Sequence, residues 1–115
     1  MLSLTSSNQY YLYSSPTDMR GSFDSLCGIV RDKLGRSPTS GEVYIFLNRR
    51  RTQVKLLHWE HGGFVMYYKR LERGNFEQPL QNNGQLTWTQ LVMMIEGVSL
   101  KEVKMRHRYV LNKSA

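Results

Sequence analysis

The chain has one cysteine, Cys27, among 115 residues. No disulfide framework and no cysteine-built metal site can form within a single copy, and a reducing compartment is the expected setting. Carboxylates are also scarce, nine Asp+Glu against 16 Lys+Arg, which leaves a formal charge of +7. Long hydrophobic runs are missing, since the longest strongly apolar stretch, Leu91 to Ile95, is too short to cross a bilayer. Met1 to Tyr11 lacks the basic start and apolar run of a secretory signal. Phosphate-cradling glycine loops and nucleophile elbows are likewise missing. These absences lead to the expectation of a cytoplasmic chain that makes no membrane contact, needs no cofactor and is not an enzyme.

What is present is ordinary globular material. The chain is 40% apolar and 11% aromatic and has no charged low-complexity stretch. Its length suits one domain, 1–115, with a core over about 8–100 and a basic strand or tail over 101–115. The charge is unevenly spread. Residues 1–35 are neutral, whereas Arg36, Arg49, Arg50, Arg51, Lys55, Lys69, Arg70 and Arg73 face only three carboxylates between Arg36 and Gly74. From Lys101 onward five basic residues face one acidic residue, and between the two blocks lie only Glu77 and Glu96. A surface polarised in this way fits a polyanionic partner.

Hydrophobic spacing gives the elements. Asn8 to Tyr13 reads as a short strand, ended by the turn residues Ser14 to Thr17. Met19, Phe23, Leu26, Cys27, Val30 and Leu34 then form one helical stripe, with Asp18 as the expected N-cap and Gly35 as the C-terminal glycine. Gly21 and Gly28 each cost such a helix roughly 1 kcal/mol relative to Ala, so tertiary packing must hold it. Glu42 to Asn48, Thr52 to Trp59 and Phe64 to Leu71 read as three strands whose short connections favour an antiparallel meander. Along the first of them Val43, Ile45 and Leu47 oppose Tyr44 and Phe46, so both faces of the sheet should be covered. Thr87 and Gln90 form a capping box, with Leu86 stapled to Leu91, at the start of a helix that Gly97 ends. The final residues alternate Val103, Met105, His107 and Tyr109 with Glu102, Lys104, Arg106 and Arg108, either a strand with a basic face or a frayed tail. The fold class expected is α+β, a small antiparallel sheet with room for terminal strands, packed with two helices.

The residues with the most chemical character are basic. Arg49, Arg50 and Arg51 occupy an expected hairpin turn, where several guanidinium forks would project together, and each fork pairs bidentately with phosphate. A solvated turn is the plainer alternative, and Lys55, Lys69, Arg70 and Arg73 on adjoining strands move the balance toward binding. Lys104, Arg106 and Arg108 extend the candidate set. Trp59, Tyr67 and Tyr68 lie near these charges as stacking platforms or, as strand aromatics more commonly are, as core. His58 and His61, with Glu60 between them, have the ligand types of a metal site. In a strand-to-turn setting they need not converge, and His107 is the only other histidine. Cys27 on the helical stripe is expected to be a buried, inert thiol. The carboxylates, Asp18, Asp24 and Asp32 among them, show no metal-holding spacing.

Taken together, Asp18-Met19-Arg20-Gly21-Ser22-Phe23-Asp24, Asn48-Arg49-Arg50-Arg51, Lys55-Leu56-Leu57-His58-Trp59-Glu60, Gly63-Phe64 and Lys69-Arg70-Leu71-Glu72-Arg73-Gly74 resemble the TnpB accessory proteins of bacterial insertion sequences of family sixty-six. The likeness runs from about Tyr10 to Pro79, with departures at Gly21, Ser25, Glu77 and Gln78. It implies a factor for transposition that works beside a separate Asp-Asp-Glu transposase, with DNA binding as the supposed role. The arginine turn and the Lys-Arg strand end are the positions that match the family's basic motifs. The expected partners are DNA, the transposase and another accessory protein of the same element. A module that binds the transposase without touching DNA is the alternative, and a metal-dependent nuclease using His58, Glu60 and His61 is a third reading. Exposed strand edges also permit a homodimer.

Overall fold

The structure is a computed structural model that describes residues 4–79 and 81–97. The basic segment expected over 101–115, with Lys104, Arg106 and Arg108, lies outside the described residues. The elements run β1 (Tyr10–Tyr13), α1 (Phe23–Asp32), β2 (Val43–Leu47), β3 (Gln53–Glu60), β4 (Gly63–Arg70), β5 (Gln85–Leu86) and α2 (Trp88–Ile95). The five strands form one sheet in the order β4-β3-β2-β1-β5. The α+β class and the three-stranded meander are as expected, and the sheet is larger by β1 and β5.

β1 pairs with β2 in parallel, whereas every other pairing is antiparallel. Parallel neighbours need a crossover, and α1 between them supplies it. β2 is buried at all five positions. Val43, Ile45 and Leu47 face a cluster with Tyr10, Leu12, Val54, Leu56, Phe76, Leu86, Leu91, Met94 and Ile95, the layer under α2. Tyr44 and Phe46 face Leu57 and the α1 residues Leu26, Cys27 and Val30. Burial raises the pKa of the Cys27 thiol, against a smaller opposing pull from Arg31. The Tyr44 hydroxyl lies 2.9 Å from the Ser37 carbonyl and 2.8 Å from a Glu42 carboxylate oxygen, and burial pushes it up to about 12.

α1 starts four residues later than its apolar stripe suggests. Asp18 does not cap it. Its carboxylate accepts from the Arg20 backbone N–H at 2.9 Å and from the Arg20 guanidinium at 2.8 Å, a local turn that competes with helix. That pairing holds the exposed Asp18 carboxyl down at about 2. Met19 still packs on the α1 layer, so its place in the stripe came from packing and not from helical geometry. At the other end Gly35 takes φ 64° and Arg36 N–H donates to Val30 O at 3.0 Å.

α2 begins as its sequence requires. Thr87 Oγ1 accepts from Gln90 N–H at 3.1 Å, Gln90 Oε1 accepts from Thr87 N–H at 2.9 Å, and Leu86 and Leu91 share the core. Replacing Thr87 with Ala should cost about 1 kcal/mol. Replacing Leu57, fully buried beneath α1, with Ala should cost about 2–5 kcal/mol. Urea unfolding of both variants checks the ordering, since capping at an exposed helix start must weigh less than a cavity beside β2.

Candidate nucleic-acid interface

The β2–β3 connection carries Arg49, Arg50 and Arg51, all exposed. Asn48 organises it. Its Oδ1 accepts from the N–H groups of Thr52 at 2.8 Å and Gln53 at 3.0 Å, while its Nδ2 donates to Thr52 Oγ1 at 3.0 Å. Its carbonyl accepts from Arg51 N–H at 3.0 Å. Arg51 sits at φ 55°, the left-handed region, which costs a non-glycine residue roughly 1 kcal/mol or more and persists only when neighbours over-determine it. The segment after β4 does this. Phe76, fully buried, donates its N–H to Arg51 O at 2.6 Å, and the Asn75 side-chain amide donates to Arg50 O. With the carbonyls of Arg50 and Arg51 tied down from behind, the three exposed side chains stand on a braced turn.

β4 brings further charge to the same end of the sheet. Gln53 is in register with Arg70, and Leu71 N–H donates to Thr52 O at 2.7 Å, so Arg70 and Arg73 leave the sheet beside the arginine turn. Arg70 pairs with Glu72 at 3.1 Å, with both side chains largely in water, where such a pair is worth little. Among the described residues, no carboxylate forms a salt bridge with Arg49, Arg50, Arg51 or Arg73.

Two lysines expected in the gripping set are placed differently. Lys55 is only 8% exposed, and its ammonium donates to Met19 O at 2.6 Å and Gly21 O at 3.0 Å, stapling the loop before α1 to the sheet. Lys69 donates to Ile95 O at 2.7 Å and so satisfies a carbonyl of the last turn of α2. Both meet backbone carbonyls left without a helical donor, which hold the ammonium groups inward. Arg36 is also engaged, 3.1 Å from Glu42 and 3.6 Å above the Tyr11 ring. The exposed set is therefore Arg49, Arg50, Arg51, Arg70 and Arg73.

The other sequence candidates fall apart in space. His58 is buried, with Nε2 3.5 Å from a Glu60 carboxylate oxygen, while His61 is exposed in the β3–β4 turn. No three His, Cys, Asp or Glu side chains gather around a common point among the described residues. Trp59 meets Phe64 edge-on at 4.9 Å and Tyr67 packs on the α2 layer, so both belong to packing. Tyr68 is 51% exposed, its hydroxyl bonded to Gln53 Oε1 at 2.7 Å. Sequence reasoning missed Asn48, Asn75 and Phe76 as supports of the turn. Asn48 carries a local signal, a side-chain amide just before a turn, but Asn75 and Phe76 act from 25 residues away and carry none.

Comparison with known proteins gives the family. The family described as IS66 Orf2 like protein matches residues 8–105. The chain belongs to that family. The match passes well beyond Pro79, where the sequence likeness was expected to fade, and takes in β5 and α2. Membership gives the chain an accessory role in transposition of an insertion sequence. Two proteins of Sinorhizobium fredii are similar to it. The uncharacterized protein y4hO is 29% identical over 90 residues, covering 76% of this chain and 78% of that one. The uncharacterized protein y4jC is 25% identical over 93 residues, covering 79% and 80%. No solved structure matches. Among the described residues of this IS66 Orf2-like chain, no helix is long and apolar enough to cross a membrane.

Replacing Lys55 with Met keeps the buried stem and removes the ammonium from the Met19 and Gly21 carbonyls. Stability should fall by about 1–3 kcal/mol, because two inward carbonyls lose their donor. The DNA affinity of the folded variant should match the parent, as measured by anisotropy well below the unfolding midpoint. An affinity drop as large as that of an arginine-turn variant would place Lys55 back at the interface.

Proposed function

We propose that this chain is a non-catalytic accessory factor that binds DNA phosphates through the turn Arg49–Arg51, supported by Arg70 and Arg73, beside an Asp-Asp-Glu transposase. The observation that carries the reading is the turn itself. Three consecutive guanidinium groups stand in solvent without a salt-bridge partner among the described residues, on a backbone held by Asn48, Asn75 and Phe76 at some conformational cost. A merely solubilising turn needs no such bracing. Phosphate gripping gains from it, because a pre-set guanidinium loses less freedom on binding. Lys104, Arg106 and Arg108 add charge of the same sign. Binding of this kind is electrostatic and positions a protein on DNA without reading bases.

A second reading has its own observation. Phe23 is 41% exposed and stacks on Phe64 at 6.1 Å, an apolar surface beside α1 where a transposase or another accessory protein of the element could dock.

Anisotropy on labelled duplex and single-stranded DNA across a salt series tests the first reading. The slope of log affinity against log salt should be roughly 0.9 per phosphate neutralised on duplex. Replacing Arg49, Arg50 and Arg51 with Ala should flatten that slope by up to about 2.7, three phosphates' worth, with transposase capture intact. An affinity indifferent to salt, or a triple variant that binds DNA like the parent while losing the transposase, would transfer the function to the second reading.

A further inference from the structure

The two edges of the sheet are unlike. On one side β5 is two residues long, too short to template another strand. On the other, β4 runs for eight residues, Gly63–Arg70, and pairs only with β3 among the described residues. The usual protections of an edge are lacking there. β4 has no proline, its eight pairs with β3 run without a bulge, and its first six residues, Gly63 to Tyr68, carry no charge. None of its side chains is fully buried, and Tyr68 is half in water.

We infer that β4 pairs antiparallel with β4 of a second copy across a two-fold axis at Met66, joining two sheets into one of ten strands. The bonding pattern selects this register. Leu71 N–H donates to Thr52 O, so the odd residues of β4 bond inward to β3, and the backbone groups of Phe64, Met66, Tyr68 and Arg70 point away from the sheet. Centring the axis on Met66 opposes Met66 to Met66, Phe64 to Tyr68 and Tyr68 to Phe64, all outward-bonding positions. The side chains of these positions lie on the α1 side of the sheet, where Phe64 and Met66 already pack, so the exposed Tyr68 ring gains an aromatic neighbour. Charge permits it as well. The only cations of β4, Lys69 and Arg70, fall opposite Gly63 and Gly62 of the second copy, so a chain of charge +7 meets its twin through an uncharged strip.

Disulfide trapping of the full chain without DNA tests the pairing independently of any DNA binding. In a Cys27→Ser background, Met66→Cys places two thiols on directly opposed residues with Cα atoms about 5.5 Å apart, within disulfide reach. Mild oxidation should yield a species of twice 13.5 kDa. Phe64→Cys alone should stay reduced, because its counterpart lies four residues away along the strand, yet mixing it with Tyr68→Cys should give the heterodimer. The mixed pair keeps the test open should Met66→Cys fold poorly. Equal trapping of Met66→Cys and Phe64→Cys overturns the register. A single-copy mass by analytical ultracentrifugation with no trapping of any variant overturns the pairing, and leaves the edge to the chain's own C-terminal segment or to another protein.

Discussion

Val43–Leu47 carries five apolar or aromatic side chains in a row, and a strand of this kind can be removed from water only if a separate layer covers each face of the sheet. The rest of the architecture answers that demand. α1 closes one face from within the β1–β2 crossover, and α2, arriving after β5, closes the other with Leu91, Met94 and Ile95. The parallel β1–β2 pairing follows from the same need, because a helix laid across the sheet between two strands returns the chain in the direction it came from. Each fully buried aliphatic side chain contributes about 1.5–3 kcal/mol, so this two-sided burial outweighs the poor local helix propensity around Gly21 and Gly28.

Closing both faces creates the polar problems that the lysines answer. The loop before α1 presents the carbonyls of Met19 and Gly21 to the sheet, and the last turn of α2 presents that of Ile95. Water is displaced from these places, and an unpaired carbonyl there costs about as much as a lost hydrogen bond. Lys55 and Lys69 reach them from β3 and β4. A long flexible stem with one compact donor head suits this task, whereas the flat arginine fork suits the open turn. The division between lysine and arginine thus separates cations held inward on backbone carbonyls from cations left in solvent within one basic region.

The same geometry gathers the exposed arginines at one end. β3 and β4 form a hairpin closed by His61 and Gly62, both at positive φ as a two-residue turn of this hand requires. That tight end fixes the register, and the register sets Arg70 opposite Gln53, next to the arginine turn. The chain beyond β4 then folds back with Asn75 and Phe76 beneath Arg50 and Arg51. Burial of Phe76 in the α2 layer anchors that return, so the bracing of the arginine turn draws on the hydrophobic core.

Local sequence determined a good deal. The three meander strands, the Thr87–Gln90 capping box, the glycine after α1, the burial of Cys27 and the exposure of Arg49–Arg51 were each legible because the decisive partners lie within a few residues, where periodicity and turn chemistry act. Only the tertiary structure decided the late start of α1, the parallel place of β1, the inward course of Lys55 and Lys69, and the support of the arginine turn by Asn75 and Phe76. In these cases the deciding contact crosses 25 or more residues, apart from the Asp18–Arg20 turn that competes with the start of α1. A sequence records that a lysine is charged, but whether its nearest unsatisfied acceptor is a backbone carbonyl or a phosphate depends on which segments the core brings beside it.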